Sequence, residues 1–164
     1  MIAIGIGCRS GASKEAILSL VAEALEHPAF KWNHLKADKM LEIQKGRASF
    51  ARKTAHTFAH DALSRAALAE EVAMLFTYEG KRSEAGLIAA ADELGIPLHF
   101  LSLEALRAMT DRVATRSLAV EKALGIPSVA EASALAGCGF GGHLLLPRIT
   151  GDGVTCAIAK RIDE

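Results

Sequence analysis

Three isoleucines at every second position, Ile2, Ile4 and Ile6, open the chain, and Gly7-Cys8-Arg9-Ser10-Gly11 follows at once, leading into a helical apolar pattern over residues 14–26. Period-two β-branched residues predict a buried strand, and the change to a 3.6-residue period directly after a glycine-rich turn makes the unit strand, turn and helix. Gly5, Gly7 and Gly11 are expected to let the backbone approach a ligand closely and to adopt positive φ. Ser13 is set to cap the helix and Glu15 to complement its dipole. Such a turn aims free N–H groups, a helix N-terminus and the Arg9 guanidinium into one space, which suits a carboxylate or phosphate.

The same alternation of strand and helix recurs. Residues 72–78 predict a second buried strand, and residues 84–94 a helix with Gly95 as its C-cap and Pro97 just beyond. Residues 98–101 read as a short third strand, Ser102 caps a helix through about residue 109, and residues 110–115 are polar and irregular. A short helix over 117–124 stops at Gly125-Ile-Pro127, so Leu-Gly-Ile-Pro serves twice as a helix-stop device. Ser128 and Glu131 have the spacing of a capping box, opening a helix that ends near Gly137. Residues 143–147 and 154–159 form two strands joined by a turn over 148–153, which predicts an antiparallel hairpin. Strands separated by helices favour parallel pairing. The expected fold is therefore α/β, three layers with a mixed, mainly parallel sheet of about five strands and a C-terminal β-hairpin. Ligands on such sheets sit beyond the carboxyl ends of the strands, where the loops at 7–11 and 79–83 both emerge.

Length and composition narrow the function. A chain of 164 residues with 51% hydrophobic and 23% charged residues is expected to be a single globular domain, and no apolar run is long enough to cross a bilayer. No secretory signal is visible, so a cytoplasmic location is the expectation. Cys8, Cys138 and Cys156 lack metal-ligand spacing. A net charge of zero argues against nucleic-acid binding, although residues 27–67 carry eight Lys/Arg and three Asp/Glu. That basic insertion, with helical spacing over 35–43 and 50–68, is expected to present a solvated face, to cover the pocket, or to dock an acidic partner enzyme.

The candidate ligand-contacting residues are Gly7, Cys8, Arg9, Ser10, Gly11, Lys81, Glu84, Thr115 and Ser128. No nicotinamide cofactor is expected, because position 10, where the dinucleotide fingerprint needs its third glycine, is Ser10. Nor is any other cofactor. Cys8, beside a helix dipole and Arg9, has a minor reading as a nucleophile with a lowered pKa, and Glu131 one as a base. His56 and His60, four apart and next to Asp61, have metal-pair spacing but no third ligand, so no metal is expected.

Four separated signatures resemble the cobalamin-biosynthesis family that comprises CobE and the C-terminal domain of CbiG. They are Gly5-Ile-Gly-Cys-Arg-Ser-Gly11 with its helix, Lys81 to Leu87, Gly125-Ile-Pro-Ser-Val-Ala-Glu-Ala132, and Leu144-Leu-Leu-Pro-Arg148 through Thr155-Cys-Ala-Ile-Ala159. The stand-alone CobE type is the nearer likeness. The basic insertion is longer than that family shows, and its Asp-Leu-Lys-Ala-Asp-Glu-Pro stretch is replaced here by Tyr78-Glu-Gly-Lys-Arg-Ser-Glu84, so only Lys81 and Glu84 carry across. The resemblance implies a place in building the corrin ring, with a precorrin-type tetrapyrrole as ligand and a role as lactone-opening hydrolase, or assistant to one, or carrier. Precorrins bear many carboxylates, which Arg9, Lys81 and Arg82 would match. The other class of function left open is a non-catalytic module that docks a corrin-pathway enzyme through the insertion.

Overall fold

The computed structural model of the chain describes residues 1–27, 29–30 and 73–161. These residues form one sheet flanked by helices. Strands β1 (Ile2–Cys8), β2 (Ala73–Tyr78), β3 (Leu98–Leu101), β4 (Gly142–Gly151) and β5 (Val154–Arg161) stand in the order β3-β2-β1-β5-β4. The β1–β2 and β2–β3 pairs are parallel, whereas β1–β5 and β4–β5 are antiparallel. The mixed sheet and the C-terminal strand pair expected from the sequence are both present.

Helices α1 (Lys14–Glu26) and α2 (Ala85–Leu94) cover one face. On the other face lie α3 (Leu103–Arg107), α4 (Leu118–Leu124) and α5 (Val129–Cys138). The opening strand explains the division. Ile2, Ile4 and Ile6 point into the α1/α2 core with Leu75 and Ile158. The intervening Ala3 joins Ala157, Ala159 and the alanines of α5 on the other side. Large residues alternate with small ones, so one face takes interdigitating side chains and the other admits a helix at very short range.

Gly5 and Gly7 serve that approach. A Cβ at Gly5 would overlap the Ala130 carbonyl oxygen and stand 2.6 Å from the Ala134 amide nitrogen. One at Gly7 would stand 2.5 Å from the Thr155 hydroxyl oxygen on β5, 3.3 Å from Val129 Cβ and 3.6 Å from the Ala130 nitrogen. On α5 itself, a Cβ at Gly137 would run into the Phe76 ring. The expectation that Gly5 and Gly7 adopt positive φ is corrected, because of the three glycines only Gly11 does so, at 77°. Both others are residues of β1; the missing side chain makes room for α5 at Gly5, and for the Thr155 hydroxyl as well as α5 at Gly7.

Other boundaries differ for local reasons. Helix α3 ends at Arg107 instead of near residue 109, and Thr110–Arg112 forms a 3₁₀ turn in the stretch expected to be irregular. Arg112 anchors that turn by donating to the Gly142 carbonyl. Strand β4 continues to Gly151, well past the expected end at residue 147, because two register shifts between Leu144 and Ile149 absorb Pro147 in an edge strand. Only Asp152 and Gly153 are left to turn the chain, at φ of 50° and 75°, the left-handed pair of a tight hairpin. Both Leu-Gly-Ile-Pro segments stop helices as expected. Gly95 and Ile96 close α2 with N–H groups bonded to the Asp92 and Ala91 carbonyls, and Gly125 closes α4 with a single bond to Glu121. Among the described residues no helix is long and apolar enough to cross a membrane.

A Gly5→Ala chain is expected to lose about 3 kcal/mol of stability or to fail to fold, since the added methyl meets helix backbone rather than a movable side chain. Urea unfolding measures this.

Candidate functional site

The loop after β1 crosses the carboxyl edge of the parallel strands, and β2 ends beside it in the 3₁₀ turn Glu79–Lys81. Ser13 caps α1 as expected, accepting the Ala16 N–H at 3.1 Å. Three of the loop's amides are already bonded. Arg9 N–H donates to the Gly153 carbonyl at 3.0 Å, and Ala12 N–H donates to the Arg9 carbonyl at 3.3 Å. Gly11 N–H donates to Glu84 Oε2 at 2.9 Å. The Lys81 ammonium lies 3.6 Å from Glu84 Oε1 and donates to Ser10 Oγ at 3.4 Å. A carboxylate of the chain itself therefore occupies the anion position expected for a ligand. It reaches there because Gly86 lacks a side chain. A Cβ at Gly86 would overlap the Ala12 carbonyl oxygen, so the first turn of α2 can press against the loop. The Gly11 N–H above all, with Lys81 and Ser10, holds the Glu84 carboxyl below its ordinary pKa.

Arg9 behaves differently. Its side chain is exposed and lies across the hairpin turn, its Cδ 2.6 Å from where a Cβ on Gly153 would stand. Among the described residues its guanidinium has no carboxylate partner.

A second cluster lies at the N-terminus of α5, which the Gly7 to Val129 approach brings to the same edge. Ser128 is fully buried and accepts the Glu131 N–H at 3.4 Å, as a capping residue does. The other half of the expected capping box is absent. The Glu131 carboxylate, also fully buried, turns away to accept Ala114 N–H at 2.6 Å and Thr115 N–H at 3.0 Å on Oε2. On Oε1 it accepts the Thr115 hydroxyl at 2.9 Å and Arg148 N–H at 2.8 Å. Four donors on two oxygens saturate a carboxylate. Glu131 thus ties the segment before α4 to the bulge of β4, which frees the Arg148 N–H from its ladder.

The family model for the cobalamin synthesis G C-terminus matches residues 46–159. The chain belongs to this family. Among solved structures it is similar to CobE, a protein from the cobalamin biosynthetic pathway, at 27% identity over 100% of this chain and 92% of that one, with a TM-score of 0.67. It is also similar to the cobalamin biosynthesis protein chiG from Agrobacterium tumefaciens, at 26% identity over 99% of this chain and 100% of that one, with a TM-score of 0.55. None of the curated proteins matches.

Within the family match lie Lys81, Glu84, Thr115, Ser128 and Glu131, whereas the β1 loop precedes it. The structure gathers Cys8, Ser10, Gly11, Lys81 and Glu84 around one loop, while Thr115 and Ser128 belong to the Glu131 cluster. The minor reading of Cys8 as a thiol with a lowered pKa is corrected: burial pushes its pKa up, and the opposing charge is Lys81 rather than Arg9. Sequence reasoning missed Gly86 and the Arg148 amide. A glycine in the first turn of a helical pattern was the visible signal for the first, and the second had none, since it arises from a bulge. His56, His60, Asp61 and the whole basic stretch at 31–67 lie outside the described residues.

With its pKa raised, Cys8 carries less thiolate at neutral pH than a free cysteine. Iodoacetamide is expected to label it more slowly than glutathione, with the rate climbing at higher pH than for the free thiol, as residue-resolved mass spectrometry reads. Glu131→Ala should cost about 3–5 kcal/mol in urea unfolding, because it orphans a buried set of amides.

Proposed function

We propose that the protein binds a precorrin-type tetrapyrrole through its peripheral carboxylates, at the carboxyl edge of the sheet, and serves corrin-ring construction by holding or carrying that intermediate. The observation that carries this reading is the exposed Arg9 guanidinium, without a carboxylate partner among the described residues, on an edge where Lys81 supplies a second cation. An arginine fork matches a carboxylate in two-point geometry and is weakly hydrated, so it suits a ligand rimmed with acids. In the free protein the Arg9, Gly11 and Ala12 amides are already bonded, so first contact with the ligand runs through side-chain cations. Similarity to CobE supports the corrin pathway as the setting. Holding is favoured over lactone opening because the two candidate catalytic groups are ill suited to it. Glu131 has no unbonded oxygen to act as a base, and Cys8 is less ionised than an ordinary thiol.

Cobyrinic acid, a corrinoid rimmed with carboxylates, is the probe. Arg9→Ala is expected to weaken its retention on gel filtration about fivefold, read by visible absorbance, as loss of one carboxylate pair implies. Unaltered retention overturns the proposed site.

A further inference from the structure

The two carboxylates at this edge are held very differently. Glu131 is fully buried and receives four donors, so its departure would leave three amides and a hydroxyl without partners inside the protein. Glu84 receives one amide, one ammonium and the Ser10 hydroxyl, all from the exposed side of the fold, and its side chain is 15% exposed. It stands at the N-cap of α2 yet makes no side-chain cap bond there. Its main-chain carbonyl starts the helix, accepting the Leu87 and Ile88 N–H groups. Helix α2 therefore keeps its first turn when that carboxylate swings away. The loop beside the contact borders open space, with nothing within 4 Å of the Cβ position at Gly11.

We propose that Glu84 is an exchangeable internal ligand: in the free protein its carboxylate holds the Gly11 amide and the Lys81 ammonium, and it yields both to a carboxylate of an incoming polyacid. This rests on the reading that the edge binds such a polyacid. The consequence is selectivity. A lone carboxylate in solution competes poorly with a group tethered beside its receptor, whereas one carboxylate of a ligand already held by Arg9 has a high local concentration of its own. The tethered glutamate thus screens out simple carboxylic acids and admits a macrocycle bearing several.

The test compares cobyrinic acid with cobinamide, in which amides replace carboxylates, on wild type, R9A and E84Q. The glutamine keeps the shape and an acceptor for Gly11 while removing the competing charge. E84Q is expected to bind cobyrinic acid about fivefold more tightly and cobinamide unchanged, since one partly buried competing charge is removed. An unchanged or weakened affinity of E84Q, with wild type binding and R9A impaired, overturns the exchange alone. Failure of wild type to bind cobyrinic acid overturns the proposed function and the exchange together. Should E84Q fold poorly, the wild-type chain decides by NMR: the Glu84 carboxyl is expected to titrate at higher pH once cobyrinic acid is bound, and identical titration with and without it overturns the proposal.

Discussion

Main chain of α5 rests directly on main chain of β1, and only hydrogen fits between them at Gly5. Ala130 and Ala134 on the helix and Ala3, Ala157 and Ala159 on the sheet extend the same close seam. Dispersion contacts between closely approaching backbones are individually weak, but a seam of them tolerates no added atom. The seam fixes where α5 begins. Its first turn reaches the carboxyl end of β1, and everything hung from that turn is brought to the edge where the β1 loop and β2 emerge.

Two acidic side chains then settle what that edge offers. Glu131 converts three main-chain donors from two separate segments into one buried knot, which sets the path of the chain before α4 and the bend in β4. A low local dielectric strengthens every bond in such a knot and penalises any partial version of it. Glu84 does a lighter version of the same thing for the β1 loop. The Gly11 amide in one place and the Ala114, Thr115 and Arg148 amides in the other are turned inward to the protein's own carboxylates, and the positive charge facing outward is that of side chains. A polyacidic ligand would first be met by arginine and lysine, and would reach the Gly11 N–H only by displacing Glu84.

Secondary structure was largely legible because its causes are local. Alternating isoleucines, the capping serines Ser13, Ser102 and Ser128, and the glycines Gly95 and Gly125 each act within a few residues of themselves. The mixed sheet and the hairpin followed from those elements, whereas the strand order came from the tertiary structure. The site was less legible. Glycines before a helix read equally as ligand clearance or as helix clearance, and the difference lies in α5, more than a hundred residues away. Ser-x-x-Glu predicted a reciprocal cap, and half of it formed; the glutamate found stronger company across the fold.

The sequence by itself determined the elements, their kinds and the family likeness, because propensity, capping and apolar period are properties of short stretches. Tertiary structure alone decided which donors each carboxylate takes. Gly11 and Glu84 are 73 residues apart, and Arg148 and Glu131 meet only because an edge strand bulges. A hydrogen bond between distant segments depends on Ångström-scale placement of whole layers, and that placement is set by the packing of every helix on the sheet at once.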